Sequence, residues 1–119
     1  MPVTAVDTRP VDLTHLAQYT GGDAALNAEV LQLFATQVTE ILQQLARVLD
    51  SKDSKAWRQA AHTMKGAARG IGAFSLADAA ASAEPIVPES DIRAALDALR
   101  EINARADAVR LFIDAYLNR

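Results

Sequence analysis

Apolar residues recur at helical spacing along most of the chain. The clearest stretch runs from about residue 24 to 50, where they step by three, four or seven positions and predict a long amphipathic helix. Its apolar positions include Leu26, Val30, Phe34, Ile41, Leu45 and Val48. A short helix is predicted before it, after Asp12. The pair Gly21 and Gly22 ends this short helix, because glycine readily adopts the left-handed conformation found at helix ends.

The rest of the chain predicts three further helices, over about 54–72, 75–85 and 90–117. Ser75 and Asp78 resemble a capping box that opens the second of these, and Pro85 stops it because proline lacks an amide hydrogen. Four main helices with short connections favour one fold class. The chain is predicted to be all-α, an antiparallel up-down four-helix bundle with a short extra N-terminal helix.

Length and composition favour one domain. A chain of 119 residues can bury a core without disulfides, and the absence of cysteine excludes thiolate metal sites and cysteine nucleophiles. Residues 1–11 contain two prolines and little apolar periodicity, so we expect an N-terminal arm there and the bundle domain over 12–119. No apolar run has the length of a signal peptide or a membrane span, which favours a cytoplasmic protein.

Charge is distributed unevenly along the chain. The formal net charge is -3, so neither nucleic acid nor an anionic membrane is an expected partner. The segment 54–73 is a local exception, since it contains four basic residues and no acidic one. Its bases are Lys55, Arg58, Lys65 and Arg69. Such a concentration in an acidic protein indicates a binding face more than an ordinary solvated face.

The apolar positions of this segment determine how its helix is rotated. At 100° per residue, a core stripe forms on one side, made of Trp57, Ala61, Met64, Ala68 and Ile71. The opposite side carries a cluster made of Lys55, Arg58, His62, Lys65, Gly66 and Arg69. The histidine is therefore predicted to face outwards near the middle of the helix, away from the core.

An outward histidine among cations is suited to carrying a phosphoryl group. Neutral imidazole is a nucleophile near pH 7, and nearby cations disfavour its protonated form. Lys65 and Arg69, three and seven positions after His62, are placed to neutralise phosphoryl oxygens. Gly66 destabilises a helix by about 1 kcal/mol relative to alanine, so stability alone does not explain a glycine at this position. The missing side chain leaves open space beside the imidazole, through which a carboxylate can approach the ring nitrogen.

The segment AHTMKGAARGIGA at 61–73 resembles the signature of the histidine phosphotransfer (HPt) domains. Further similarities cover roughly residues 12–84, and the last helix is generic. They are GGD at 21–23, Phe34, Asp53, Leu76 and Glu84. One departure is Met64, where leucine is more usual; this conservative change puts nothing in doubt.

The resemblance implies a phosphorelay intermediate without kinase or phosphatase activity of its own. His62 would be the phosphoacceptor, Lys65 a phosphoryl-stabilising cation and Gly66 the access glycine. Glu84 matches a position near the histidine, where an acid either orients the ring or faces water. With Lys55 and Arg58, it is grouped here with the residues expected to dock the partner.

The implied partners are receiver domains of hybrid histidine kinases and response regulators, and the simplest arrangement is a monomer that moves between them. No cofactor is expected, because any magnesium would belong to the receiver domain. The chain also has no phosphate loop or kinase signature, so its phosphoryl group must come from a partner.

Two other functions compete with phosphotransfer, namely a binding adaptor and a metal-binding protein. A non-phosphorylated adaptor could use the same helix face to bind or sequester a receiver or another signalling protein. A metal site is the second, but His15 has only Asp12 at a weak ligand spacing and the chain has no Glu-x-x-His pair. No metal is therefore expected.

Overall fold

All regular structure is helical in the computed structural model, which describes residues 9–118. In chain order the helices are α1 (Leu13–Thr20), α2 (Ala24–Ser51), α3 (Ser54–Ile71), α4 (Phe74–Ala83) and α5 (Ile92–Leu117). The predicted all-α class and the short N-terminal helix are confirmed. None of these five helices is both long and apolar enough to cross a membrane.

Aspartate side chains begin four of the five helices. The N-cap residues Asp12, Asp23, Asp53 and Asp91 each accept a hydrogen bond from a backbone amide in the first turn. Those amides have no partner within the helix, so each carboxylate stabilises the helix start and fixes its position. The predicted start of α3 behind Asp53 is confirmed.

Helix α4 begins differently from the prediction. Its N-cap is Ala73, which makes no side-chain capping bond, and the helix begins at Phe74. The predicted capping box of Ser75 and Asp78 is therefore wrong, because Ser75 already lies inside the first turn. The backbone amide of Ala73 instead donates to Ala68 at the end of α3, so the short α3–α4 connection itself sets where α4 begins.

The helices enclose one apolar core. Helix α3 packs against α2 and α4, α5 packs against α4 and α2, and α1 lies against α2 and α3. The largest fully buried side chains come from all five helices and include Leu16, Leu31, Leu45, Trp57, Met64, Leu76, Ile102 and Ile113. Every member of the stripe predicted for α3 is buried, whereas Leu26 in the first turn of α2 stays exposed.

The chain joins this core before α1. Val11, which the sequence places in the N-terminal arm, is fully buried, and the Asp12 amide donates to the Gly72 carbonyl at 2.9 Å. Gly72 has φ 85°, and a Cβ there would lie 2.6 Å from the Asp12 carbonyl oxygen, so this close approach requires glycine. Residue 11 thus packs with the bundle. Residues 1–8 of the predicted arm lie outside the described residues.

Candidate functional site

His62 lies on the solvent side of α3, as its position in the helix predicts. Its side chain is 66% exposed, although its neighbour Ala61 and Met64 two positions later are fully buried. The rotation of α3 follows from the burial of its apolar stripe. The imidazole is therefore exposed to solvent on a helix whose rotation is fixed by the core.

Glu84 connects His62 to Lys65. One carboxylate oxygen, Oε1, lies 2.9 Å from Nδ1 of His62, and the other, Oε2, accepts a hydrogen bond from Lys65 Nζ at 2.6 Å. The side chains of Glu84 and Lys65 are both half-buried, at 22% and 20% exposed. The three residues form a chain of hydrogen bonds between α3 and the end of α4.

A buried tryptophan positions this carboxylate. The indole Nε1 of Trp57 donates to the carbonyl of Ala83 at 2.9 Å, which ties the last residue of α4 to the buried side of α3. Glu84 follows as the C-cap residue, and its own amide donates to the Ala80 carbonyl. Glu84 therefore leaves the helix at a point fixed by the core.

The electrostatics of the site determine which nitrogen of His62 is free. Hydrogen bonds from Lys65 and, second, from His62 lower the pKa of Glu84, so its carboxylate is ionised at neutral pH. An ionised carboxylate only accepts hydrogen bonds, and Nδ1 must therefore carry the proton of a neutral ring. The other nitrogen, Nε2, then has its lone pair available as a nucleophile.

The two cations predicted beside His62 differ in their surroundings. The helix pattern predicts that Lys65 extends into solvent. In the structure its ammonium group instead donates a hydrogen bond to Glu84. The side chain of Arg69 is exposed and forms no ion pair or hydrogen bond in the described part of the chain. Of these two cations, Arg69 is thus the one that an incoming anion meets without first displacing a carboxylate.

Gly66 has no packing role. A Cβ at this position would have no atom within 4 Å, and the residue is exposed one helical turn beyond His62. Close contact with another helix would have explained a glycine, but none exists here. What the missing side chain provides is open surface beside the imidazole.

Lys55 and Arg58 lie together towards the start of α3. With Ser54, Ile86 and Val87 they line a cleft of about 350 Å³. Neither cation has an ion-pair partner among residues 9–118. Glu84, grouped with them from the sequence, instead contacts His62 and Lys65 and does not line this cleft.

Two features of the site have no signal in the sequence. The cations near His62 are visible in the helix pattern, but the contact between Lys65 and Glu84 joins residues 19 positions apart. The bond from Trp57 to Ala83 spans 26 positions and ends on a backbone carbonyl. Only the family resemblance drew attention to Glu84, since no periodicity relates it to α3.

The other histidine has a different environment. The His15 ring makes edge contacts with the rings of Tyr19 and Phe74, at centroid distances of 5.7 and 5.0 Å. Its neighbours are aromatic rings, in contrast to the carboxylate beside His62. Within residues 9–118, no group of three or more potential ligand side chains is arranged to hold a metal ion.

Comparison with known proteins agrees with the all-helical fold. The chain superposes on the crystal structure of histidine-containing phosphotransfer protein B (HptB) from Pseudomonas aeruginosa PAO1 with a TM-score of 0.83. The two share 21% sequence identity over 95% of this chain and 99% of the other, a likeness that shows the fold. No curated protein sequence matches. The Hpt domain family model matches residues 29–113, most of the chain, and the protein therefore belongs to the Hpt domain family.

Proposed function

We propose that this protein carries a phosphoryl group on Nε2 of His62 between the receiver domains of a phosphorelay. Hpt domains are phosphotransfer carriers that interact with receiver domains, which supports this class of function. The single observation that carries the assignment to His62 is the Glu84 carboxylate oxygen 2.9 Å from Nδ1 of an exposed ring. That contact leaves Nε2 unprotonated and accessible.

The transfer needs no base from this chain. The Nε2 lone pair attacks the phosphorus of an aspartyl phosphate, an N–P bond forms, and the P–O bond breaks with its electrons left on the aspartate carboxylate. Transfer onward reverses these steps on another receiver, with the N–P electrons returning to Nε2. Open space at Gly66 admits the approaching carboxylate, and Arg69 and Lys65 offset the charge of the phosphoryl oxygens.

The other two bases of α3 are assigned to docking of the receiver domain. Lys55 and Arg58 lie one to two turns before His62 and would attract an acidic receiver surface. Any magnesium would be held by the receiver, and this chain would act as a monomer without a cofactor. In this proposal the four main helices, α2 to α5, alternate in direction as an up-down bundle, and the outward face of α3 is open to the partner.

The proposal is tested by mixing the protein with a panel of phosphorylated receiver domains. An acid-labile, alkali-stable phosphoprotein should appear with the cognate receiver, and His62→Gln should abolish it while helicity is retained. Label that persists in His62→Gln would overturn the proposal. Tight receiver binding without any label on the wild-type protein would instead support the adaptor function.

A further inference from the structure

We propose that the cleft between the start of α3 and the connection from α4 to α5 selects the receiver domain, by taking one aliphatic side chain that has an acidic neighbour. The inference rests on the proposed function, since it names the part of the receiver that fits beside His62. The cleft is lined by Ser54, Lys55, Arg58, Ile86 and Val87. The side contributed by α3 and the side contributed by the connection differ in chemistry, and each requires its own feature of the partner.

One side of the cleft is cationic and the other is aliphatic. Lys55 and Arg58 are exposed, and neither has an ion-pair partner in the described part of the chain. On the connection, Val87 is 41% exposed and Ile86 is partly buried. A partner that covers this apolar surface gains free energy, because the surface is removed from water. The cleft of about 350 Å³ therefore fits an aliphatic side chain together with a carboxylate that pairs with the two bases.

The aliphatic side of the cleft is preformed. The amide of Ile86 donates to the Ala83 carbonyl at 3.1 Å, and the Val87 carbonyl accepts a hydrogen bond from the Asp91 amide at 2.9 Å. Pro88, directly after Val87, is fully buried, and its ring fixes the backbone φ angle. Because these contacts hold the connection in place, a partner that fills the cleft loses little free energy in ordering it.

Both sides of the cleft lie close to the phosphoacceptor. Arg58 is four residues before His62 on α3, which is about 6 Å along the helix axis. Val87 follows three residues after Glu84, whose carboxylate contacts the His62 ring. A docking area of ordinary size, about 800 Å² on each partner, includes both the imidazole and the cleft. A receiver whose aspartate reaches Nε2 therefore places neighbouring residues over the cleft.

The two sides of the cleft should contribute differently to recognition. The cations attract every acidic receiver at long range and raise the rate of association. The aliphatic side acts only in contact. A receiver with a charged side chain at this place would desolvate that charge against Val87, and one with a small side chain would leave the cleft unfilled. The aliphatic side is therefore the one that distinguishes between receivers of similar charge.

The test compares Val87→Ser with Leu111→Ser, which removes an exposed aliphatic side chain on α5, outside the cleft. Both variants should fold, since both side chains are exposed. The probe is the receiver of the panel that binds the wild-type protein most tightly, in its unphosphorylated form. Calorimetry measures its dissociation constant at low and at high salt, with Arg58→Ala as the salt-sensitive reference. The rate of transfer at a saturating concentration of the phosphorylated receiver is measured separately.

Val87→Ser should raise the dissociation constant about five- to tenfold at both salt concentrations, because salt screens charges and not apolar contacts, while the saturated transfer rate is retained. Arg58→Ala should weaken binding mainly at low salt, and Leu111→Ser should have no effect. Wild-type affinity in Val87→Ser, an equal loss in Leu111→Ser, or a loss that disappears at high salt would each overturn the inference. A receiver that binds through the cleft but never labels His62 would contradict the proposed function alone.

Discussion

The buried indole of Trp57 donates a hydrogen bond to the carbonyl of Ala83, the last residue of α4. This bond joins the helix that bears His62 to the residue that precedes Glu84. The position of an exposed side-chain contact therefore depends on an interaction in the core. Changes to the core at this point should alter both stability and the environment of His62.

The variant Trp57→Phe tests that dependence. It removes the indole donor from the Ala83 carbonyl, which keeps only the amide of Ile86, and it removes volume from a fully buried site, so the free energy of unfolding should fall by about 1–3 kcal/mol. Chemical denaturation measures this loss, and the ¹⁵N shifts of the His62 ring should change with it. Wild-type stability together with unchanged ring shifts would contradict the positioning role of Trp57.

The access role of Gly66 is tested with a matched pair of variants, Gly66→Gln and Gly70→Gln. Both glycines are exposed in α3 and neither would bring a Cβ within 4 Å of another atom, so both variants should fold with slightly higher helix stability. Only Gly66→Gln should slow phosphotransfer, because Gly70 lies two turns from His62. Equal transfer rates in the two variants would show that the space beside the imidazole is not used.

Reversal of charge at Arg69 should weaken the approach of the receiver. Arg69→Glu places an acid on the face that is proposed to dock an acidic partner, and the second-order rate of transfer should fall about tenfold at low salt. Arg93→Glu, at an exposed arginine on α5, provides the control and should have little effect. Raising the salt concentration should narrow the difference between the two variants. A similar loss of rate in both would indicate a general effect of net charge.

The contacts of Glu84 should make stability depend on pH in the acidic range. Lys65 and His62 lower the pKa of Glu84 in the folded protein. The ionised carboxylate therefore contributes its full stabilisation at pH values above the ordinary glutamate pKa of 4.5. This contribution is lost as the pH falls through the lowered pKa. The free-energy difference between wild type and Glu84→Gln, measured by denaturation from pH 7 to 3, should shrink below about pH 4.5. A difference independent of pH would rule out ionised contacts at Glu84.

Periodic features of the fold are predictable from the sequence, whereas contacts between helices are not. The burial of Trp57 and Met64 and the outward position of His62 follow from the period of a helix, which depends only on local spacing. The partner of Lys65 depends on where α4 ends relative to α3. That relation results from packing across the core.

The start of α4 is a second feature that the sequence does not predict correctly. Ser75 and Asp78 have the spacing of a capping box, but the Ala73 amide is already bonded to the end of α3, and the helix begins without a side-chain cap. The hydrogen bonds that close the end of α3 outweighed the capping preference of the serine. Helix ends close to a packed connection are therefore harder to predict than the helices themselves.

The central claim is tested most directly by locating the phosphoryl group after transfer from a cognate receiver. The chain contains two histidines, so tandem mass spectrometry with His62→Gln and His15→Gln as a matched pair can assign the site, and ³¹P–¹⁵N NMR can assign the nitrogen. We predict full label in His15→Gln, none in His62→Gln, and an N–P bond at Nε2 of His62. Label on His15, or label that survives in His62→Gln, would contradict the proposed function.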